Sequence, residues 1–268
     1  MSEGYLSRST FFRPNVPEQP SFTSRIVRRT YAYGGGPDPW HHHASVMRAV
    51  YLIIGVNTAM FGVWQYAIVK RHRKLLQQLT DNATLSWENI RAGRYWTLVT
   101  SAFTHTAIGH FGFNMLAFYT FGSVMAWVPG VAAVHVISLS IGAAIAGSVS
   151  WLYYPKGVNA AQDRRWGPNA QHVRHVAQGA SGMVMGAAAT AACLMPYAPM
   201  YLMFVPIPIP LWVVTGIYAA LDIFYLDSGD KIGHAAHLGG SVYGALFYFT
   251  YLRRYGGVWP MIRRMLKR

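Results

Sequence analysis

From Val131 to Tyr154 the chain reads VAAVHVISLSIGAAIAGSVSWLYY, an unbroken stretch without one Asp, Glu, Lys or Arg. Such a run has no face to offer water, and about 20 residues is the length a helix needs to cross the hydrocarbon core of a bilayer. Comparable stretches lie at 46–69, 108–128, 177–195, 201–226 and 234–252, giving six candidate helical spans. Composition agrees: 53% of residues are hydrophobic and 12% charged, against roughly 25% charged in an ordinary soluble domain.

The expected fold is therefore all-α, a polytopic membrane protein built as a bundle of six transmembrane helices over 46–252, with a basic N-terminal tail over 1–45 and a basic C-terminal tail over 253–268. No soluble domain is left once the spans are assigned, and no seventh hydrophobic span is visible. Pro206, Pro208 and Pro210 alternate at the start of the fifth segment. Each lacks the donor a helix needs, so the regular helix there is predicted to begin near Leu211.

The formal charge of +14 comes from 23 Lys and Arg against 9 Asp and Glu, and the basic residues cluster outside the spans. Arg253, Arg254, Arg263, Arg264, Lys267 and Arg268 crowd the C-terminal tail beside Trp259 and Met261, a combination suited to anionic lipid. Nucleic acid is not expected as a partner, because no soluble basic domain remains to hold it. Counting Arg48 with the N-terminal tail, the two tails carry 12 basic residues and the loops of the opposite face 11. The excess that normally marks the cytoplasmic side is thus absent, and orientation stays open.

The first 45 residues are rich in Arg, Ser, Pro and Gly and resemble a mitochondrial targeting segment, from which Glu3, Glu18 and Pro14 depart. His41, His42 and His43 read as an interfacial cluster just ahead of the first span. Cys193 is the only cysteine, so no intramolecular disulfide can form, and it reads as a packing residue.

Polar residues inside spans are costly and tend to mark functional sites. In an up-and-down bundle of six, the second, fourth and sixth spans run in the same direction and their first turns share one membrane face. His110, Ser181 and His237 lie near those three starts. The fourth span reads GASGMVMGAAATAAC, nearly all small side chains, and the pairs Gly182–Gly186 and Gly240–Gly244 are of the kind that lets helix backbones touch. Contact between the fourth and sixth helices is predicted, which sets Ser181 beside His237. His110 and Asn114 share a helix face one turn apart, where an imidazole and a carboxamide N–H can be aimed at a developing oxyanion, with the backbone N–H of Ser181 as a third donor. His234 lies on nearly the same face as His237, and spacing alone leaves either as the base.

In these motifs the chain resembles the rhomboid intramembrane serine proteases over roughly residues 90–250: YWTLVTSAFTH before the second span, HFGFNM within it, GASG in the fourth and GHAAHLGG in the sixth. AGSVSWLYYPK, PYAPMYLMFVPIPIPLW and HAAHLGGSVYG are most similar to the mitochondrial branch. The resemblance implies Ser181 as nucleophile, His237 as general base, His110 and Asn114 as oxyanion stabilisers, and Gly179, Gly182 and Gly240 as supporting glycines. It also implies a dyad without a carboxylate; Asp222, the only acid inside a span, reads as a structural or gating residue rather than a catalytic one. His105, His135 and His234 read as packing or hydrogen-bonding residues. Many family members carry Trp-Arg where this chain has Trp96-Thr97.

By the same resemblance, the substrates are single-span proteins of the mitochondrial inner membrane, such as a dynamin-like fusion GTPase or a peroxidase precursor, admitted near the fifth span. The first loop (70–107) and the loop at 227–233 are candidates for the wall and lid of a hydrated cavity. The alternative is a catalytically silent rhomboid-like scaffold that binds membrane helices. A metal- or haem-binding transporter is suggested by 11 histidines, His172 and His175 among them. It is disfavoured because no HExxH motif appears and no carboxylates flank the histidine pairs, so no metal or cofactor is expected.

Overall fold

The protein is described by a computed structural model covering residues 39–154, 176–202, 205–226 and 233–267. The targeting-like stretch ahead of residue 39, His172, His175 and nearly all of the 227–233 loop lie outside the described residues.

Helices stand in all six predicted segments. The first, α1, runs Pro39–Val69 and so begins ahead of the expected span, taking the histidine cluster into its opening turns. His42 Nε2 lies 3.1 Å from the Val128 carbonyl, and the His43 ring packs at 4.4 Å on Trp127. After α1 the long first loop is itself structured, with short helices α2 (Arg73–Ala83), α3 (Trp87–Arg91) and α4 (Thr97–Thr100). Then come α5 (Ile108–Ala126), α6 (Ala133–Tyr153) and α7 (Ser181–Leu194).

The fifth segment departs from expectation in its first half. Two short strands, β1 (Pro199–Leu202) and β2 (Val205–Pro210), form an antiparallel hairpin before α8 (Leu211–Phe224) begins at the predicted residue. Pro199 pairs with Pro210 and Met200 with Ile209. In a two-stranded ladder every second N–H points outward, so proline at alternate positions loses no ladder bond, whereas the same prolines would break a helix. Helix α9 (His234–Phe247) follows and is prolonged by a wider turn over Tyr248–Leu252. A last amphipathic helix, α10 (Val258–Met265), lies in the basic tail. It is tied to α9 by Tyr248, whose hydroxyl donates to the Gly256 carbonyl (2.6 Å) and accepts from the Trp259 N–H (2.8 Å).

Among the described residues, two helices, over His42–Val69 and Ala133–Tyr153, are long and apolar enough to cross a membrane alone. Helices α7 and α8 are apolar but have 14 residues each, a rise of about 21 Å against a hydrocarbon core of roughly 30 Å. Their remaining length is made of non-helical backbone, the loop at 176–180 and the hairpin.

The packing is inverted relative to a soluble protein. Helix α7 is the buried centre, with Gly182, Gly186 and the alanines from Ala187 to Ala192 enclosed. Large apolar side chains such as Leu52, Leu116, Ile217, Phe224 and Leu246 face outward. Lipid is as apolar as leucine, so helix association rests on close packing of small residues and on interhelical hydrogen bonds. A side chain at Gly240 would meet the Gly182 carbonyl, and one at Gly244 the Gly186 carbonyl. Thr190 Oγ1 adds a 2.9 Å bond to the Gly244 carbonyl. The predicted contact between the fourth and sixth segments is thus a backbone-on-backbone contact between α7 and α9.

Candidate active site

The site is built on the first loop. Ser86 caps α3 by accepting from the Asn89 N–H (3.2 Å). Asn89, fully buried, gives its amide to the carbonyls of Thr80 (3.1 Å) and Thr84 (2.7 Å) and accepts from Arg94 Nη1 (2.9 Å). Arg94 also pairs with Asp81 at 3.6 Å. Thr97, which stands where many family members carry arginine, is buried and donates to the Arg94 carbonyl (2.7 Å). The guanidinium that organises this loop is therefore supplied by Arg94. Trp87 Nε1 bonds the Leu152 carbonyl (3.2 Å) and Ser148 Oγ the Leu98 carbonyl (2.8 Å), fixing the loop to α6.

The loop in turn holds the segment leading into Ser181. Leu85 and Ala177 exchange two backbone bonds of 2.9 Å, Gln178 Nε2 donates to Thr106 Oγ1 (2.7 Å), and the Gly179 N–H donates to the Ser101 carbonyl (2.9 Å). His105 Nε2 accepts the Ala180 N–H at 3.1 Å. That bond assigns the His105 proton to Nδ1 and requires a neutral ring. Burial, reinforced by the neighbouring His110, pushes the His105 pKa down to about 4. Gly179 has φ of +127°, and a Cβ there would lie 2.5 Å from His110 Cε1; a backbone angle of that sign disfavours any side chain. The His110 ring thus lies directly against the turn that precedes Ser181.

Ser181 is the first residue of α7 and half-buried. Its backbone N–H belongs to the first turn, whose donors have no intrahelical partner. Asn114 is buried, and its Nδ2 donates to the His110 carbonyl (2.8 Å). On the other side of Ser181, a Cβ on Gly147 would lie 2.9 Å from the Ala236 carbonyl and 3.4 Å from Gly182 Cα. Three helices, α6, α7 and α9, therefore touch one residue away from Ser181 and from His237. Among the described residues no hydrogen bond joins Ser181 to His237, whose Nδ1 is instead turned toward Asp222.

That carboxylate is the principal correction to what the sequence led one to expect. Asp222 Oδ1 lies 2.9 Å from His237 Nδ1 and 2.7 Å from His234 Nδ1, with Asp222 and His234 both buried. The resemblance implies catalysis without a carboxylate, yet an acid stands within hydrogen-bond reach of His237, and the inference that no carboxylate flanks a histidine pair fails. The reason is geometric: α8 and α9 run in opposite directions, so the last turn of α8 lies level with the first turn of α9. The parity that gathers His110, Ser181 and His237 applies equally to helix ends, and a lone acid in the last turn of the fifth span was the readable signal. His234 does make the interhelical hydrogen bond expected of it, with Tyr225 packed over its ring at 6.0 Å.

The chemistry open to this arrangement follows from the hydrogen bonds. An imidazole whose Nδ1–H is given to a carboxylate keeps the lone pair on Nε2 and can accept a proton there. His135 has no such relation; its Nδ1 accepts the Ala132 N–H at 2.9 Å and caps α6.

Comparison with known proteins bears on the same residues. The Rhomboid domain family matches residues 92–254, more than half of the chain. Rhomboid protein 1, mitochondrial, of Saccharomyces cerevisiae is 34% identical over 203 residues, covering 74% of this chain and 51% of the yeast protein. RHOMBOID-like protein 12, mitochondrial, of Arabidopsis thaliana is 30% identical, covering 77% of this chain and 60% of its own length. The human presenilin-associated rhomboid-like protein, mitochondrial, is 25% identical over 79% of this chain and 50% of its own. The chain spans between half and three-fifths of the length of these relatives. With the match running from the first loop to the end of α9, the chain belongs to the rhomboid family, on its mitochondrial side, and is a multi-pass membrane protein of mitochondria.

Proposed function

We propose that this protein is an intramembrane serine endopeptidase, a six-span bundle of the mitochondrial inner membrane that cleaves single-span membrane proteins. Ser181 attacks the substrate carbonyl while His237 Nε2 accepts its proton; the amine leaves with that proton, and water activated by the same histidine hydrolyses the acyl-enzyme. His110, Asn114 and the Ser181 N–H stabilise the oxyanion; Asn114 Nδ2 gives one hydrogen to the His110 carbonyl and has a second to offer. Asp222 fixes the imidazole with its lone pair on Nε2.

The observation that carries this reading is the backbone contact of Gly182 with Ala236 and Gly240, adjacent in sequence to Ser181 and close to His237. A catalytic serine and base commonly draw together only when substrate binds, so the missing hydrogen bond fits a resting enzyme. The same missing bond favours the second reading, a scaffold that binds membrane helices without cutting them. Reconstitution with a generic transmembrane substrate decides: wild type cleaves and Ser181→Ala does not, and a serine-directed covalent probe labels wild type alone. A wild type that neither cleaves nor labels leaves the scaffold.

A further inference from the structure

The hydrogen bonds around Asp222 describe one state of a donor set that also suits a metal. Two imidazole nitrogens and one carboxylate oxygen, from residues spaced H-x-x-H on α9 and from the facing turn of α8, all lie within 4.8 Å of one another. Asp222 and His234 are buried while His237 is partly exposed, so the ligands are largely shielded from water and yet an ion can reach them. Imidazole and carboxylate are ligands that zinc takes at about 2.0–2.2 Å in tetrahedral sites, where neighbouring ligand atoms stand roughly 3.3 Å apart. The two contacts to Asp222 Oδ1, at 2.7 and 2.9 Å, need open by a fraction of an ångström, and the two imidazole nitrogens, within 4.8 Å of each other, must draw together by a turn of the partly exposed His237 ring.

We propose that Asp222, His234 and His237 form an inhibitory divalent-cation site of the zinc type. The proposal rests on the protease reading for its consequence, though not for the binding. Zinc at His237 Nδ1 displaces the proton held there. A neutral ring metallated at Nδ1 then carries its one proton on Nε2, so the atom that must accept from Ser181 becomes a donor. On each ring the proton lost from Nδ1 is matched by one taken up at Nε2, directly or through water, so both rings stay neutral and only N–H and metal–ligand bonds change. Binding also clips α8 to α9. Because α8 buries only Leu211, Val214 and Asp222 among its described residues, fewer than any other helix of the six apolar segments, the clip restrains it as well.

The test uses full-length, tag-free protein in detergent. Binding is read on Ser181→Ala and on the double variant Ser181→Ala/His234→Gln, by zinc titration and by the visible absorption of added cobalt(II). The expected result is one zinc per chain that the double variant binds at least tenfold more weakly, with tetrahedral cobalt absorption in the first protein only. The subtraction cancels zinc held by His41, His42 and His43. Equal binding by both proteins overturns the site. Activity is read as the ratio of rates with and without zinc: wild type is silenced and restored by EDTA, while His234→Gln requires at least tenfold more zinc. Equal sensitivity of both overturns the inhibitory role. A wild type inactive under all conditions sinks the protease reading and leaves the binding result to stand or fall alone.

Discussion

The Gly182 carbonyl occupies the space in which a side chain at Gly240 would have to stand. These two residues flank the proposed nucleophile and base, so the closeness of α7 and α9 is set by the absence of a side chain rather than by an attraction between polar groups.

Gly240→Ala should therefore force the two backbones apart. Overpacking of this kind costs about 1–3 kcal/mol, and the displacement acts where Ser181 and His237 must meet. Thermal unfolding in detergent should show a lower midpoint, and cleavage should be lost even where the protein remains folded. Gly216, on α8, faces open space where a Cβ would stand, and Gly216→Ala should leave both measurements close to wild type.

Asp222→Asn tests whether the carboxylate orients the base. An asparagine can present its N–H to His237 Nδ1 and stabilise the tautomer protonated on Nε2, which is the unproductive one. In a soluble serine protease the equivalent change costs about 10⁴ in kcat. Here His234 competes for the same group, and a loss of about 10²-fold or more in kcat is expected, with KM little altered and activity still above that of Ser181→Ala. An unchanged kcat would return Asp222 to the structural role read from the sequence.

Much of this arrangement was legible in the chain. Windows with few or no charges marked six segments in each of which a helix stands, the alternating prolines located the start of α8 at Leu211, and the small-xxx-small pairs identified the α7–α9 contact. What escaped had a common cause. The pairing of strands 199–202 and 205–210, the buried Asn89–Arg94 brace and the Asp222–His237 bond all join residues whose partnership depends on where a turn sends the chain, and no periodicity records that. The first-loop helices are short and polar, so an apolar-window reading passes over them, even though Ser86 caps α3 as the local preference for serine at a helix start would have it.

The oxyanion assignment predicts a rate effect without a folding effect. Asn114 gives one amide hydrogen to the carbonyl of its own helix, where the i−4 carbonyl is already served by the backbone ladder. Asn114→Ala should thus barely move the unfolding midpoint, while removal of one oxyanion donor typically costs about 10²- to 10³-fold in rate. His110→Ala should give a loss of the same order. Steady-state cleavage beside thermal unfolding separates this from a packing role, which would move both.

Asn89 makes the opposite prediction. It is wholly buried and satisfies the carbonyls of Thr80 and Thr84 while accepting from Arg94. Asn89→Ala leaves those groups without that partner, at a cost of about 1–3 kcal/mol for a buried group left unsatisfied. The first loop should loosen, which limited proteolysis would detect as new cleavage between α2 and α5, and activity should fall because the same loop pins residues 177–180.

His105 gives the chain a predictable acid sensitivity. Its folded-state pKa is depressed to about 4 by burial and by His110, against an ordinary value near 6.5. Between those values the unfolded chain binds a proton that the folded chain refuses, so stability from this group is fully present above about pH 6.5 and is lost as pH falls toward 4. Protonation also removes the acceptor for the Ala180 N–H, one residue ahead of Ser181. His105→Gln keeps an oxygen able to accept that bond but cannot titrate. Its unfolding midpoint should therefore fall less than that of wild type between pH 7 and pH 4, and equal slopes for the two proteins would show that the acid sensitivity arises elsewhere.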